Sequence, residues 1–83
     1  MRVRIRLFGR LHDLAGASEL DRDVPGEATV GEVWALLVAD APAIAPYARA
    51  VSAAVNADFA RMTTRLADGD EVAFLPPVSG GRA

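Results

Sequence analysis

With 83 residues, 52% of them apolar, and a formal charge of −2, the chain is sized for one small domain with a modest core. The near-neutral balance gives no basis for binding nucleic acid or an anionic membrane. There is no cysteine, which excludes disulfides, thiol catalysis and cysteine metal sites. One histidine without clustered carboxylates argues against any metal site. All nine basic residues are arginine. No apolar run approaches membrane-spanning length, and Arg2, Arg4 and Arg6 break up what would be the apolar part of a signal peptide. A cytoplasmic location is therefore expected.

Arg2 to Phe8 alternates strictly, the period of a half-buried strand. Val3, Ile5 and Leu7 take one face; Arg2, Arg4 and Arg6 take the other, and Phe8 falls in the Arg phase. Gly9 to Gly16 carries a short helical signal through Leu11, Leu14 and Ala15, with Gly16 as its stop. His12 in this segment reads as a solvent-exposed helix residue, because a general base needs a partner and none is apparent. Ser18 to Val24 is a polar strand suited to a sheet edge, and Pro25-Gly26 is a turn.

Thr29 and Glu32 form a capping box. The helix behind it carries Val30, Val33, Trp34, Leu37 and Ala41 as one apolar stripe, ending before Pro42. Ala43 to Arg49 reads as an irregular or short helical return. Ala50 to Asn56 is a third strand, with Val51, Ala53 and Val55 in phase. Asn56-Ala57-Asp58 is a turn, since Asn and Asp tolerate left-handed φ. Phe59 to Arg65 is ambiguous, with room for a short edge strand. Asp68-Gly69-Asp70 is another turn, followed by a last strand with Val72 and Phe74 inward and Ala73 and Leu75 outward.

One helix over one mixed sheet is an α+β, two-layer domain. The β-grasp, or ubiquitin-like, wiring joins these elements most economically, with the first and last strands parallel at the centre. The expected core is Val3, Ile5, Leu7, Val33, Trp34, Leu37, Val55, Val72 and Phe74. The domain is expected to span residues 1–75, with a tail over 76–83. Pro76-Pro77 ends the sheet ladder, because proline has no N–H to donate. The tip Val78-Ser79-Gly80-Gly81 has almost nothing to anchor it. The six residues from Pro76 to Gly81 can reach roughly 20 Å, and bare glycines can enter a channel too narrow for other residues. Residues after Val78 are expected to be disordered in the free protein. Parallel first and last strands would set Phe8 beside Leu75 at the foot of the tail, as a docking patch.

Three runs, Ala53-Ala54-Val55-Asn56, Leu66 to Phe74 and Pro76-Pro77-Val78-Ser79-Gly80-Gly81, closely resemble the molybdopterin synthase small subunit family, within the wider group of ubiquitin-like sulfur carriers. The opening strand through Leu7-Phe8 and the segment Leu14-Ala15-Gly16 are also similar. The resemblance covers nearly the whole chain. It implies a carrier rather than an enzyme on its own. A ubiquitin-activating-like enzyme would use ATP to adenylate the carboxylate of Gly81, sulfur would replace the adenylate, and the thiocarboxylate would donate sulfur to precursor Z in the large synthase subunit. No cofactor is bound by the carrier itself. By the same resemblance Gly81 bears the sulfur, Ser79 and Gly80 lie along the partner's channel, Pro77 and Val78 also contact the partner, and Phe8 and Leu75 dock. The chain departs from the family pattern twice: His12 stands where relatives often carry Arg, and Arg82-Ala83 follow Gly81, so that either a protease removes them or they are the remnant of a fusion boundary. Two alternatives stay open. One is a sulfur carrier for cysteine, thiamine or thiolated RNA, or a ubiquitin-like modifier. The other is a plain interaction module with an inert tail.

Overall fold

Alternation in the opening segment becomes β1, Arg2–Leu7, in the computed structural model of the chain, which describes residues 1–77. The other elements are α1 (Gly9–Ala15), β2 (Glu19–Asp23), α2 (Val30–Asp40), a 3-10 helix (Pro42–Tyr47), β3 (Ser52–Val55), β4 (Asp58–Ala60) and β5 (Glu71–Leu75). The sheet runs β2-β1-β5-β3-β4. β1 and β5 are parallel at its centre, and every other pairing is antiparallel. This is the expected β-grasp.

The inner face of the sheet and the stripe of α2 enclose the core. Val3, Ile5, Leu7, Val72 and Phe74 are buried against Val30, Val33, Trp34 and Leu37. Leu11 from α1, Ile44 from the 3-10 helix and Leu66 close its ends. Val55 differs from expectation: it is only half-buried. It closes the hairpin opposite Asp58, at the end of β3, where it packs against the margin of the core.

The capping box forms as read, with Thr29 accepting from the Glu32 N–H and Glu32 reaching back to the Thr29 N–H. The next two N–H groups of α2 donate to the chain's own backbone, Val30 to the Thr64 carbonyl and Gly31 to that of Met62. Several boundaries move, and β2 is one residue shorter at each end than Ser18 to Val24. Strand β3 starts at Ser52, because the N–H groups of Ala50 and Val51 both turn back to the Tyr47 carbonyl. The hairpin turn is Asn56-Ala57, with φ of 50° and 74°, and Asp58 already belongs to β4. Phe8 lies just past β1 as the extended cap of α1.

The outer face divides into two halves. On one side, Arg2, Arg4 and Arg6 of β1 lie opposite Asp23, Asp21 and Glu19 of β2, at 3.3, 3.2 and 3.8 Å. This solvated ladder adds little stability, because exposed ion pairs gain little over hydration. It sets the register instead, since a one-residue slip would bury the charges. The other half is apolar.

Candidate functional site

The site follows from the parallel pairing of β1 and β5. Leu7 stands opposite Phe74, so both strands end at one rim, and the Phe8 N–H continues the ladder to the Phe74 carbonyl at 3.2 Å. Phe8 is extended, with φ −116° and ψ 155°, which keeps its ring on the outer face. The Arg6 guanidinium lies 5.1 Å from the centroid of that ring. A cation so placed is attracted by the negative ring face, and it marks where the charged ladder gives way to the apolar half.

Beyond that border Phe8, Ala54, Ala57, Phe59, Ala73 and Leu75 line one shallow cleft of about 250 Å³, with Arg6 and Glu71 at its margin. The structure thus brings Phe8 and Leu75 together, as the sequence reading expected. It adds Phe59, whose ring is 85% exposed. A large aromatic ring held by a sheet and left in water is a strong docking anchor, because its burial is gained only when a partner arrives. The signal for Phe59 was present in the turn. A two-residue Asn56-Ala57 loop sets Ala54 opposite Phe59, and Ala54 is out of phase with inward-facing Ala53. Reading 59–65 as ambiguous hid that pairing.

The foot of the tail crosses α1. Pro76 packs against Gly9, and Gly9, Arg10, Tyr47, Pro76 and Pro77 line a second cleft of about 430 Å³. Pro77 is exposed. Val78, Ser79, Gly80 and Gly81 lie outside the described residues, and so does the expectation that the tip is disordered.

His12 Nδ1 lies 3.9 Å from Asp13 Oδ1, and both side chains are half in water. The Arg4 guanidinium is held above its ordinary pKa, first by its hydrogen bond to Asp21 and then by the charges of Asp21 and Glu19, which leaves it a fixed cation. Among the described residues no group of three His, Asp or Glu side chains could hold a metal ion. No helix there is long and apolar enough to cross a membrane. The arrangement presents an apolar surface beside the root of the tail.

Known proteins share this fold. The ThiS family model matches residues 5–81. The molybdopterin synthase sulfur carrier subunit of Chlamydomonas reinhardtii is 30% identical over 83 residues, covering 98% of this chain and all of that protein. Small archaeal modifier protein 1 of Haloferax volcanii is 34% identical over 84 residues, covering 92% of this chain and 97% of that protein. A crystal structure of the Haloferax volcanii modifier superposes with a TM-score of 0.81 at 31% identity, over 93% of this chain and 98% of that one. Fold, sequence and the span of the family match agree, and the chain belongs to the ThiS family of ubiquitin-like sulfur carriers.

Proposed function

We propose that the chain is the sulfur-carrier subunit of a molybdopterin synthase. The observation that carries this reading is the shared rim. An apolar patch of Phe8, Phe59 and Leu75 sits at the root of a Pro-Pro stalk whose sequence runs on to Gly80-Gly81. Relatives at 30–34% identity supply the reaction class. The patch docks first on an adenylating enzyme related to ubiquitin-activating enzymes. There the Gly81 carboxylate attacks the α-phosphate of ATP and releases pyrophosphate. A sulfur nucleophile then displaces AMP from the acyl carbon, a covalent-catalysis logic in which the carrier is co-substrate. The resulting thiocarboxylate enters the large subunit of the synthase. Ser79 and Gly80 occupy its channel, with Pro77 and Val78 in contact behind them, and sulfur passes to precursor Z. With no cysteine in the chain, the sulfur must come from outside.

In this chain Gly81 is joined to Arg82 by a peptide bond. Arg82 would also bring a bulky, always charged guanidinium to a site built for bare glycine. A protease that cleaves after Gly81 therefore precedes activation. The test presents the full-length chain and a chain ending at Gly81 to the adenylating enzyme with ATP and a sulfur donor, followed by intact mass. Exchange of one oxygen for sulfur only in the shorter chain is the expected result. Equal exchange in both, with Arg82 and Ala83 still attached, removes Gly81 as the reactive terminus. The modifier relative supports a second reading, transfer of the same activated Gly81 to amines of other proteins. A thiocarboxylate that converts precursor Z in the presence of the large subunit separates the two.

A further inference from the structure

We infer that Gly9 is a positioning residue for the tail: its missing side chain is the seat on which Pro76 sets the direction in which the stalk leaves the domain. This rests on the carrier reading above for its consequence, but not for its geometry.

Gly9 follows Phe8 at the rim and opens α1 with φ of +55°. A Cβ built there would come within 3.0 Å of Pro76 Cγ and 3.6 Å of Cδ. The first distance is shorter than ordinary carbon–carbon contact, so ring or stalk would have to give way. The proline is poorly placed to do so. Its own φ is restricted by the pyrrolidine ring, and Pro77 restricts Pro76 in turn. On its other side β5 is fixed in the sheet between β1 and β3, with Leu75 paired to Ser52. The strain would therefore be relieved by swinging the stalk away from α1. The direction of Pro76-Pro77 at the rim sets where the rest of the tail starts.

Gly16 provides the control. It too has positive φ, +77° at the C-terminus of α1, but a Cβ there would meet nothing within 4 Å. Asn tolerates the left-handed region better than other residues with a side chain. Gly16→Asn thus reports an Asn at positive φ with no neighbour to meet, and Gly9→Asn an Asn at positive φ that also meets Pro76.

The experiment uses the full chain with Ser79→Cys as its single cysteine, carrying a nitroxide label. Paramagnetic broadening of backbone amides maps where the label dwells. Expected is one pattern for the wild-type background and Gly16→Asn, and a different one for Gly9→Asn, with broadening at Arg10 and Tyr47 reduced about 2-fold or more. The same pattern in all three overturns the inference. Should the Asn variant lose the Trp34 fluorescence of the folded domain, Pro76→Ala, which removes the ring from the seat and leaves Gly9 unchanged, carries the same comparison.

A kinetic arm measures ATP–pyrophosphate exchange by the adenylating enzyme on chains ending at Gly81. Misplacement by a fraction of an ångström lowers kcat about 10-fold in Gly9→Asn while KM, set by the patch, changes less than about 2-fold. Equal losses in the Gly9 and Gly16 variants would reduce Gly9 to a structural glycine. If the unsubstituted chain supports no exchange at all, the carrier reading fails, and the label still decides the seat.

Discussion

The ring of Trp34 lies 5.1 Å from that of Phe74, centroid to centroid, tilted by 55°. Helix and sheet meet at this pair, with Phe74 fully buried. Its neighbour Leu75 points to the opposite face and is half-buried. Phe74→Ala is expected to cost roughly 3–5 kcal/mol of stability, the lost transfer energy plus the cavity left behind. Urea unfolding followed by Trp34 fluorescence measures it. Leu75→Ala should move the midpoint far less. If the two effects are reversed, the assignment of the faces is wrong.

Phe59→Ala, Phe8→Ala and Leu75→Ala are each expected to weaken binding to the large synthase subunit by up to roughly 3 kcal/mol, with Phe59 the most costly. Titration calorimetry against that subunit checks this. Phe59→Ala should leave the urea midpoint nearly unchanged, because the ring is already 85% exposed. Unchanged affinity in all three variants would move the docking surface elsewhere.

Ala57 holds φ of 74° in a two-residue hairpin turn after Asn56. Asn-Gly is the favoured pair for such a turn, since both positions need positive φ. Ala57→Gly relieves the Cβ clash but loosens the unfolded chain, and the clash is the larger effect. A gain of about 0.5–1 kcal/mol in chemical denaturation is expected; a loss would mean that the turn is not of this type.

Gly31→Ala should destabilise, although alanine is the better helix former by about 1 kcal/mol. A Cβ at this position would lie 3.1 Å from the Met62 carbonyl oxygen. That carbonyl cannot withdraw without breaking its hydrogen bond from the Gly31 N–H at 2.8 Å. The contact outweighs the propensity, and a lowered midpoint on thermal unfolding is the expected reading. A raised one would show that the 61–66 loop yields easily.

Much of this protein is determined by local pattern. Alternation in Arg2–Leu7 and the stripe from Val30 to Leu37 fix which side chains face inward, because periods of 2 and 3.6 follow from backbone geometry alone. The Thr29–Glu32 box and the αL stop at Gly16 are equally local and were legible for that reason. Phe74 inward and Leu75 outward follow from the same period. Tertiary structure alone decided what lies across strands and between elements. The Phe59 ring joins Phe8 and Leu75 only because β4 pairs with β3 and β3 with β5. Leu11, Ile44 and Leu66 enter the core because the chain ends of the sheet must be closed, a need that no window of residues displays. Val55, in perfect phase, stays half-buried because its strand ends there. The seat of Pro76 on Gly9 spans 67 positions of sequence and exists only once β1 and β5 lie side by side.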